Sequence, residues 1–181
     1  MRLIGGEFGG RKIALPKNIK SRPTTDMARE GLFNILHHRF TFSGIRVLDL
    51  FSGTGSISFE FYSRGCRAIT AIENDRFLFR QIKKIRDELG FTSINILNAD
   101  AYKTLQKDPG TGYDIIFADP PYNHPDLPTL PSLILGGRWL NPEGLFILEH
   151  PKENSFKEEK GFMEERKYGM VHFSFFRSVY Q

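Results

Sequence analysis

Short apolar runs alternate with amphipathic stretches through most of the chain, and each pattern predicts a different element. The apolar runs are rich in β-branched and aromatic residues, which predicts buried strands. These strands are predicted at residues 46–50, 68–72, 93–97, 113–118 and 144–150. The intervening stretches predict helices at residues 57–63, 75–89, about 101–106 and 130–135. This alternation predicts an α/β fold with a mostly parallel sheet, right-handed crossovers and helices on both faces.

The two ends of the chain depart from this alternation. Residues 162–168 and 171–180 predict two strands joined at Gly169, and this hairpin would add antiparallel strands to the sheet edge. Near the other end, Thr24 or Thr25 predicts the cap of an amphipathic helix that runs to about residue 40. Residues 1–22 predict a short hairpin or an extended arm, with its turn at the glycines in positions 9 and 10.

Two of the predicted helices have an identifiable inward face. In the first helix, this face is expected to hold Ala28, Leu32, Ile35, Leu36 and Phe40. In the long helix that Gly90 ends, it is expected to hold Phe77, Ile82, Ile85 and Leu89.

The composition is that of a chain with one full hydrophobic core. The chain has 181 residues, of which 40% are hydrophobic, and two units are expected: a basic segment at 1–22 and a main domain at 23–181. No apolar run approaches the roughly 20 residues of a membrane-spanning helix. Glycines and an acid at residues 5–7 interrupt any signal-peptide core, so a cytoplasmic protein is expected. The single cysteine, Cys66, excludes an internal disulfide and argues against metal sites built on thiolates. The pair His37-His38 near the end of the first helix is expected to complement the helix carboxyl terminus, so no metal is expected.

The net charge of +4 is unevenly distributed along the chain. Residues 1–22 hold six of the 25 basic residues but one of the 21 acids, which accounts for the whole excess. A concentrated basic segment is typical of proteins that bind nucleic-acid phosphates. The alternative is a solvated arm that has no partner.

A glycine-rich turn follows the first predicted strand, and acids close three successive strands. Gly53 and Gly55 lie between a strand and a helix, where glycine permits tight turning and close approach to a ligand. Asp49 ends the strand before them, Glu73 ends the next strand and Asp100 follows the third. Each acid alone is compatible with an ordinary helix cap. Together at one rim of a parallel sheet they favour a binding site, because gathered like charges cost stability.

The ligand predicted for this rim has hydroxyl groups and a positive charge. Glu73 lies 20 residues after Gly53, the spacing at which an acid binds ribose hydroxyls, whereas the third glycine of the dinucleotide fingerprint is replaced by Ser58. S-adenosylmethionine (SAM) has a ribose, an ammonium and a sulfonium. Asp49 would attract its amino-acid end, Glu73 its ribose and Asp100 its adenine amine. An NAD-dependent oxidoreductase is the alternative, but it needs a substrate-binding half for which the chain leaves no room.

The fourth predicted strand ends in the tetrapeptide Asp119-Pro120-Pro121-Tyr122. Proline cannot donate to a sheet ladder and restricts φ, so the strand must end by Asp119 and continue into a stiff loop. A carboxylate beside an aromatic ring at this edge could hold a planar amine. The alternative is a rigid turn with a half-exposed tyrosine.

Several of these motifs resemble a known enzyme family. Residues 47–56 resemble the cofactor motif of class I SAM-dependent methyltransferases, and residues 119–122 resemble the catalytic motif of enzymes that methylate exocyclic amines of bases. Residues 1–11, residues 22–26 with Glu30 and residues 32–36, and Ser63-Arg64-Gly65 are similar to the small bacterial 16S ribosomal RNA guanine-N2 methyltransferases, the RsmD family. The resemblance covers residues 1 to about 150, and it departs from the family pattern near Ile85 and in the proline-rich stretch 126–131.

The resemblance implies a Rossmann-like methyltransferase domain with a seven-stranded sheet, and SAM as its cofactor. The cofactor-binding residues that it implies are Thr25, Asp49, Phe51, Ser52, Gly53, Gly55, Glu73, Asn74, Asp100 and Ala101. The implied catalytic residues are Asp119 and Pro120, which accept the hydrogens of the amine, and Tyr122, which stacks on the base.

The resemblance also implies ribosomal RNA as the partner, in the small-subunit particle, and a monomeric enzyme. The expected RNA-binding residues are Arg2, Arg11, Lys12 and Arg22. Two alternatives stay open: another amine methyltransferase, acting on adenine N6 in DNA or another RNA or on protein glutamine, and a non-catalytic RNA-binding module that keeps the fold. The second would be expected to lose its acidic rim.

Overall fold

A seven-stranded sheet runs through the computed structural model, which describes residues 1–15 and 24–179. The strands are β1 (Arg46–Leu50), β2 (Ala68–Glu73), β3 (Ile94–Asn98), β4 (Tyr113–Ala118), β5 (Leu140–His150), β6 (Phe162–Tyr168) and β7 (Val171–Arg177). Their order across the sheet is β3-β2-β1-β4-β5-β7-β6. Strands β1 to β5 pair in parallel, whereas β7 is antiparallel to both β5 and β6. The mostly parallel sheet with an antiparallel hairpin at its edge is thus confirmed.

Five helices cover the two faces of the sheet within the described part of the chain. They are α1 (Asp26–His37), α2 (Ser56–Ser63), α3 (Arg76–Leu89), α4 (Ala101–Leu105) and α5 (Leu130–Gly136), with 3-10 turns at Phe42–Gly44 and Leu127–Thr129. Helices α1, α2 and α3 pack on one face, and α4 and α5 pack on the other. Side chains of β1 alternate between the two cores, so Val47 belongs to the first and Leu48 to the second. Burial on both faces explains why the consecutive residues Val47 and Leu48 are both apolar.

Most predicted elements lie within a few residues of the observed ones, and β5 shows the largest difference. It begins at Leu140 instead of Gly144. Its register with β4 shifts between Tyr113 and Ile115, and Glu143 has a φ of 63°. Because of this irregular pairing, the polar segment 141–144 lies within the strand. A search for apolar runs therefore places the start of β5 too late.

One prediction about inward faces is wrong, and the first helix is shorter than predicted. Phe77 is 46% exposed, since it lies off the stripe formed by Ile82 and Ile85 in α3. Helix α1 ends at His37, so Phe40 lies beyond it and is only partly buried. Ile35 and Phe40 nevertheless pack against the first core, and α1 also buries Arg29 and Phe33.

The amino-terminal segment forms a hairpin that is fixed to the domain. Arg2 bridges to Lys12 in antiparallel fashion, and Leu3 and Ile13 are buried in the first core. The fully buried carboxylate of Glu60 in α2 accepts hydrogen bonds from the Ile4 and Gly5 amides at 2.8 and 2.9 Å. Within residues 1–13, the predicted hairpin is therefore the form observed, whereas the predicted unit boundary at residue 22 lies outside the described residues. None of the helices among the described residues is long and apolar enough to cross a membrane.

Candidate active site

A cavity of about 840 Å³ opens at the edge of the sheet where the parallel strands end. Ligands bind at this edge in open α/β sheets, because the loops after neighbouring strands separate there. The wall includes every predicted catalytic residue and nine of the ten predicted cofactor residues: Asp119, Pro120, Tyr122, Thr25, Asp49, Phe51, Ser52, Gly53, Glu73, Asn74, Asp100 and Ala101. Gly55 is the exception, although it belongs to the same turn.

The turn after β1 is held in an unusual backbone conformation. Gly53 and Gly55 have φ values of 56° and 77°, and Phe51, which has a side chain, has a φ of 59°. Such a conformation costs a non-glycine residue of order 1–3 kcal/mol and is concentrated at functional sites. A Cβ atom on Gly55 would lie 2.9 Å from the Phe59 ring, so glycine is needed there for packing of α2. Gly53 instead faces open space at the cavity wall.

Asp49 lies at the inner end of the cavity and is almost fully buried. Its carboxylate accepts a hydrogen bond from the Ser58 hydroxyl of α2. Burial raises the pKa of Asp49 to about 7, and the Ser58 and Ser52 hydroxyls limit this rise. The serine that replaces the third glycine of the dinucleotide fingerprint is therefore the hydrogen-bond partner of the acid predicted to attract a cation.

Glu73 is held in place by the backbone on both sides. Its two carboxylate oxygens accept hydrogen bonds from the Gly53 amide at 2.7 Å and the Asp75 amide at 2.8 Å. Burial raises its pKa, against the effect of these amides. Each carboxylate oxygen has a second lone pair, so the geometry leaves acceptors for ligand hydroxyls.

Asp100 is both a helix cap and a residue of the cavity wall, the two alternatives considered from the sequence. One carboxylate oxygen caps α4 by accepting from the Lys103 amide at 2.9 Å, and the residue also lines the cavity. Ala101 follows it in the wall. Asn74 also lines the cavity, and the Asn98 side-chain amide donates to the Asn74 carbonyl at 3.0 Å.

The tetrapeptide follows β4 directly, beside the glycine turn. The Asp119 amide lies 3.4 Å from the Leu50 carbonyl, so the loop starts next to the end of β1. Burial, followed by the nearby Glu149 and Asp49 carboxylates, raises the pKa of Asp119 well above its usual range. Pro120 is buried, whereas the Tyr122 ring is 44% exposed and can meet an incoming group.

Glu149 near the end of β5 was missed by the sequence analysis. It is buried in the cavity wall, and one of its carboxylate oxygens accepts from the Tyr122 hydroxyl at 3.1 Å. The other accepts from the Thr24 hydroxyl at 2.9 Å. The rule that selected acids at the ends of the first three strands would have found Glu149 had it been applied to β5.

The predicted RNA-binding residues do not line the cavity. Arg2, Arg11 and Lys12 are exposed on the amino-terminal hairpin, and Arg2 lies 3.3 Å from Asp26 at the start of α1. The hairpin also reaches the glycine turn, since the Met1 sulfur lies 3.8 Å from the Thr54 hydroxyl. Arg22 lies outside the described residues.

The charge of the cavity wall limits the chemistry of its ligand. Six carboxylates line it, and no lysine or arginine does so among the described residues: Asp49, Glu73, Asp75, Asp100, Asp119 and Glu149. Such a wall attracts a cation and disfavours a pyrophosphate. The described residues contain no cluster of three or more histidine, cysteine or acidic side chains placed to hold a metal ion.

The sequence and the fold are similar to those of known methyltransferases. A family model described as "Conserved hypothetical protein 95" matches residues 1–177. The chain is 35% identical over 154 residues to ribosomal RNA small subunit methyltransferase D of Escherichia coli, covering 85% of this chain and 76% of that protein. The Haemophilus influenzae protein of the same name is 31% identical, with 98% of this chain and 94% of that protein covered.

A solved structure agrees with these relatives. The structure described as "Putative methyltransferase yhhF from Escherichia coli" superposes with a TM-score of 0.86 at 31% identity, covering 100% of this chain and 99% of that one. The sheet order, the cavity at the carboxyl ends of the parallel strands and these similarities all indicate a methyltransferase. The chain belongs to the family described as conserved hypothetical protein 95, which includes the ribosomal RNA small subunit methyltransferases D.

Proposed function

We propose that this methyltransferase transfers the methyl group of SAM to the exocyclic N2 amine of one guanine in 16S ribosomal RNA. The class of enzyme follows from the family. The observation that carries the proposal is the composition of the cavity wall: six carboxylates and no lysine or arginine among the described residues, with Asp119 and Tyr122 in the same wall.

The cavity suits SAM in size and in chemistry. A volume of about 840 Å³ lies within the range of ligand pockets. Glu73, whose carboxylate two backbone amides hold, is the proposed contact for the ribose, Asp49 for the ammonium and Asp100 for the adenine amine. The remaining proposed cofactor contacts come from Phe51, Ser52, Gly53, Gly55, Asn74, Ala101 and Thr25. When bound, the cofactor supplies an electrophilic methyl group on its sulfonium.

Asp119 is the proposed acceptor for the hydrogens of the guanine amine, together with the Pro120 carbonyl. The N2 lone pair of guanine is delocalised into the ring, so the free amine is a poor nucleophile. Hydrogen bonds to both N–H groups draw the nitrogen towards tetrahedral geometry and orient its lone pair. Positioning of this kind, combined with a fixed carboxylate near a developing positive charge, supplies the catalysis.

Tyr122 is the proposed stacking platform for the base. Its exposed ring lies beyond two prolines that fix the loop. A base in a duplex cannot reach such a site, so the guanine would be presented unpaired or extruded. Stacking on an aromatic ring contributes roughly 1–3 kcal/mol per base.

The basic segment 1–22 is the proposed RNA-binding unit, beside the methyltransferase domain at 23–181. Arg2, Arg11 and Lys12 are exposed on a hairpin that buried contacts hold in place, so their charges are presented at defined positions. Arg22 completes the proposed set. We further propose that the substrate is RNA within the small-subunit particle and that the enzyme is a cytoplasmic monomer.

The test is methyl transfer from tritiated SAM to small ribosomal subunits, naked 16S rRNA, transfer RNA and DNA. The proposal requires N2-methylguanosine as the product in digested 16S rRNA, whereas N6-methyladenosine would establish the adenine alternative. Asp119→Ala should lose transfer by a factor of roughly 10²–10³, as expected for one lost charge-stabilising group. It should retain SAM binding by calorimetry. Equal loss of binding and transfer would refute the role given to Asp119.

A further inference from the structure

Glu149 and Asp119 lie side by side at the ends of two paired strands. In the parallel register of β4 and β5, Ala118 pairs with Leu148, so the next residue of each strand is Asp119 and Glu149. Neighbouring strands are about 4.8 Å apart. Both acids belong to the sheet face that α1 to α3 cover, since Phe117 and Ile147, two residues earlier, lie in that core.

Glu149 joins three separate segments at this end of the cavity. It is only 4% exposed, yet both of its carboxylate oxygens have partners. The Tyr122 hydroxyl donates to Oε1, and the Thr24 hydroxyl, directly before the cap of α1, donates to Oε2. The carboxylate therefore links β5, the tetrapeptide loop and the start of α1. These contacts restrict the Tyr122 ring, whose own backbone segment is an exposed loop.

The two neighbouring carboxylates also affect each other's protonation. Burial raises the pKa of both Asp119 and Glu149, and the charge of Glu149 is the next largest cause for Asp119. The Asp49 charge of β1 also raises the pKa of Asp119. The other titratable side chains of the wall are Glu73, Asp75, Asp100, Tyr102, Tyr122, His124 and Tyr168. The Thr24 and Tyr122 hydroxyls stabilise ionised Glu149 and so oppose the rise that burial causes in its pKa, whereas the pKa of Asp119 is raised well above its ordinary value by burial and by the Glu149 and Asp49 charges.

We propose that Glu149 is a positioning residue of the transfer site, which orients the Tyr122 ring through its hydroxyl and sets the charge of Asp119 beside it. This inference rests on the proposed function, in which Asp119 must be ionised to accept the amine hydrogens. Glu149 touches neither the base nor the methyl group in this scheme. It acts through the two residues that do.

The first test separates the charge of Glu149 from its size. Glu149→Gln keeps the shape and an acceptor for Tyr122 but removes the charge. Asp119 should then ionise at lower pH, which can be followed by NMR of ¹³C-carboxyl-labelled aspartate, and the acid limb of kcat/KM should move to lower pH with it. Glu153→Gln, in the exposed loop after β5, is the matched control and should move neither. An unchanged Asp119 titration in Glu149→Gln would overturn the inference.

The second test concerns the orientation of the ring. Tyr122→Phe keeps the ring but removes its hydrogen bond to Glu149, and it should raise the KM for RNA about three- to tenfold, as expected for one hydrogen bond. In the Glu149→Ala background, the same change should have no further effect. Independent, multiplicative effects would show that the two residues do not act together.

The NMR titration does not depend on activity. A protein that methylates another atom but shows the Asp119 shift would therefore contradict only the proposed function. A guanine-N2 methyltransferase whose Asp119 titration ignores Glu149→Gln would contradict only this inference.

Discussion

Replacing Gly53 by alanine tests whether the turn after β1 carries the cofactor. Gly53 has a φ of 56°, and among the described residues the nearest heavy atom to an added Cβ is the Phe51 carbonyl oxygen at 3.8 Å. The methyl group therefore meets no packed neighbour and stands at the cavity wall. Gly90, the C-cap of α3, has a φ of 73° and also nothing within 4 Å, but it does not line the cavity. Comparing Gly53→Ala with Gly90→Ala therefore separates the cost of backbone strain from the cost of filling space that the ligand occupies.

The expected magnitudes follow from these two effects. A left-handed conformation costs an L-residue about 1–2 kcal/mol, so Gly53→Ala and Gly90→Ala should lower the free energy of unfolding by similar amounts. In Gly53→Ala, the methyl group also crowds a ligand that lies against the turn. Overpacking of this kind costs about 1–3 kcal/mol, which corresponds to roughly a 5- to 150-fold weaker affinity.

Two measurements decide the matter. Urea unfolding gives the stability of each variant, and isothermal titration calorimetry gives its affinity for SAM. We expect similar losses of stability, with weaker binding in Gly53→Ala alone. If both variants bind SAM as tightly as the wild type does, the ligand does not lie against Gly53 and the assignment of the cavity is wrong.

Three further predictions concern buried and exposed charges. Glu60→Gln should lower the free energy of unfolding by about 3 kcal/mol, because a fully buried carboxylate that accepts three hydrogen bonds is replaced. The control Glu88→Gln, in an exposed ion pair, should change the free energy of unfolding by less than about 1 kcal/mol. Similar losses for the two variants in urea titrations would contradict this explanation. The folded-state pKa of Asp49 is raised from 3.8 to about 7, so between these pH values the unfolded chain loses a proton that the folded protein keeps, and the wild type loses stability as the pH rises. Asp49→Asn should therefore gain free energy of unfolding relative to the wild type as the pH rises through this interval. A constant difference between the two would argue against a buried acid. Replacing Arg11 and Lys12 by glutamine should reduce the salt dependence of RNA binding by about 0.7–0.9 for each RNA phosphate that is no longer neutralised, while the exchange to lysine and arginine preserves it; an unchanged slope would remove the hairpin from the RNA interface.

The amino-terminal hairpin shows why charge substitutions test RNA binding better than truncation does. Leu3 and Ile13 are buried in the first core, and Glu60 is satisfied by two amides of the hairpin. Deleting the segment would expose apolar surface and leave a buried carboxylate without these donors, so weaker binding could follow from failed folding. The sequence revealed the basic charge of this segment, whereas its docking depends on contacts with residues about 55 positions away.

The wrong predictions for Phe77 and for the start of β5 share one cause. Phe77 was assigned to the core because it is aromatic and lies in an amphipathic helix, yet the side of α3 that meets the sheet is the one with Ile82 and Ile85. The start of β5 was missed because its irregular pairing with β4 places a polar segment inside the strand. Local patterns report the period of an element, but its partner decides which side is buried.

The sequence by itself determined the order of strands and helices, the glycine turn and the acids at the strand ends. Periodicity, glycine and proline act over a few residues, so these features can be read locally. Only the tertiary structure decided that Glu149 lies beside Asp119, that Ser58 hydrogen-bonds Asp49, and that the hairpin packs on α2. Each of these contacts depends on strand register or on packing between distant segments, and the desolvation that shifts the pKa of an acid exists only once the surrounding segments have closed over it.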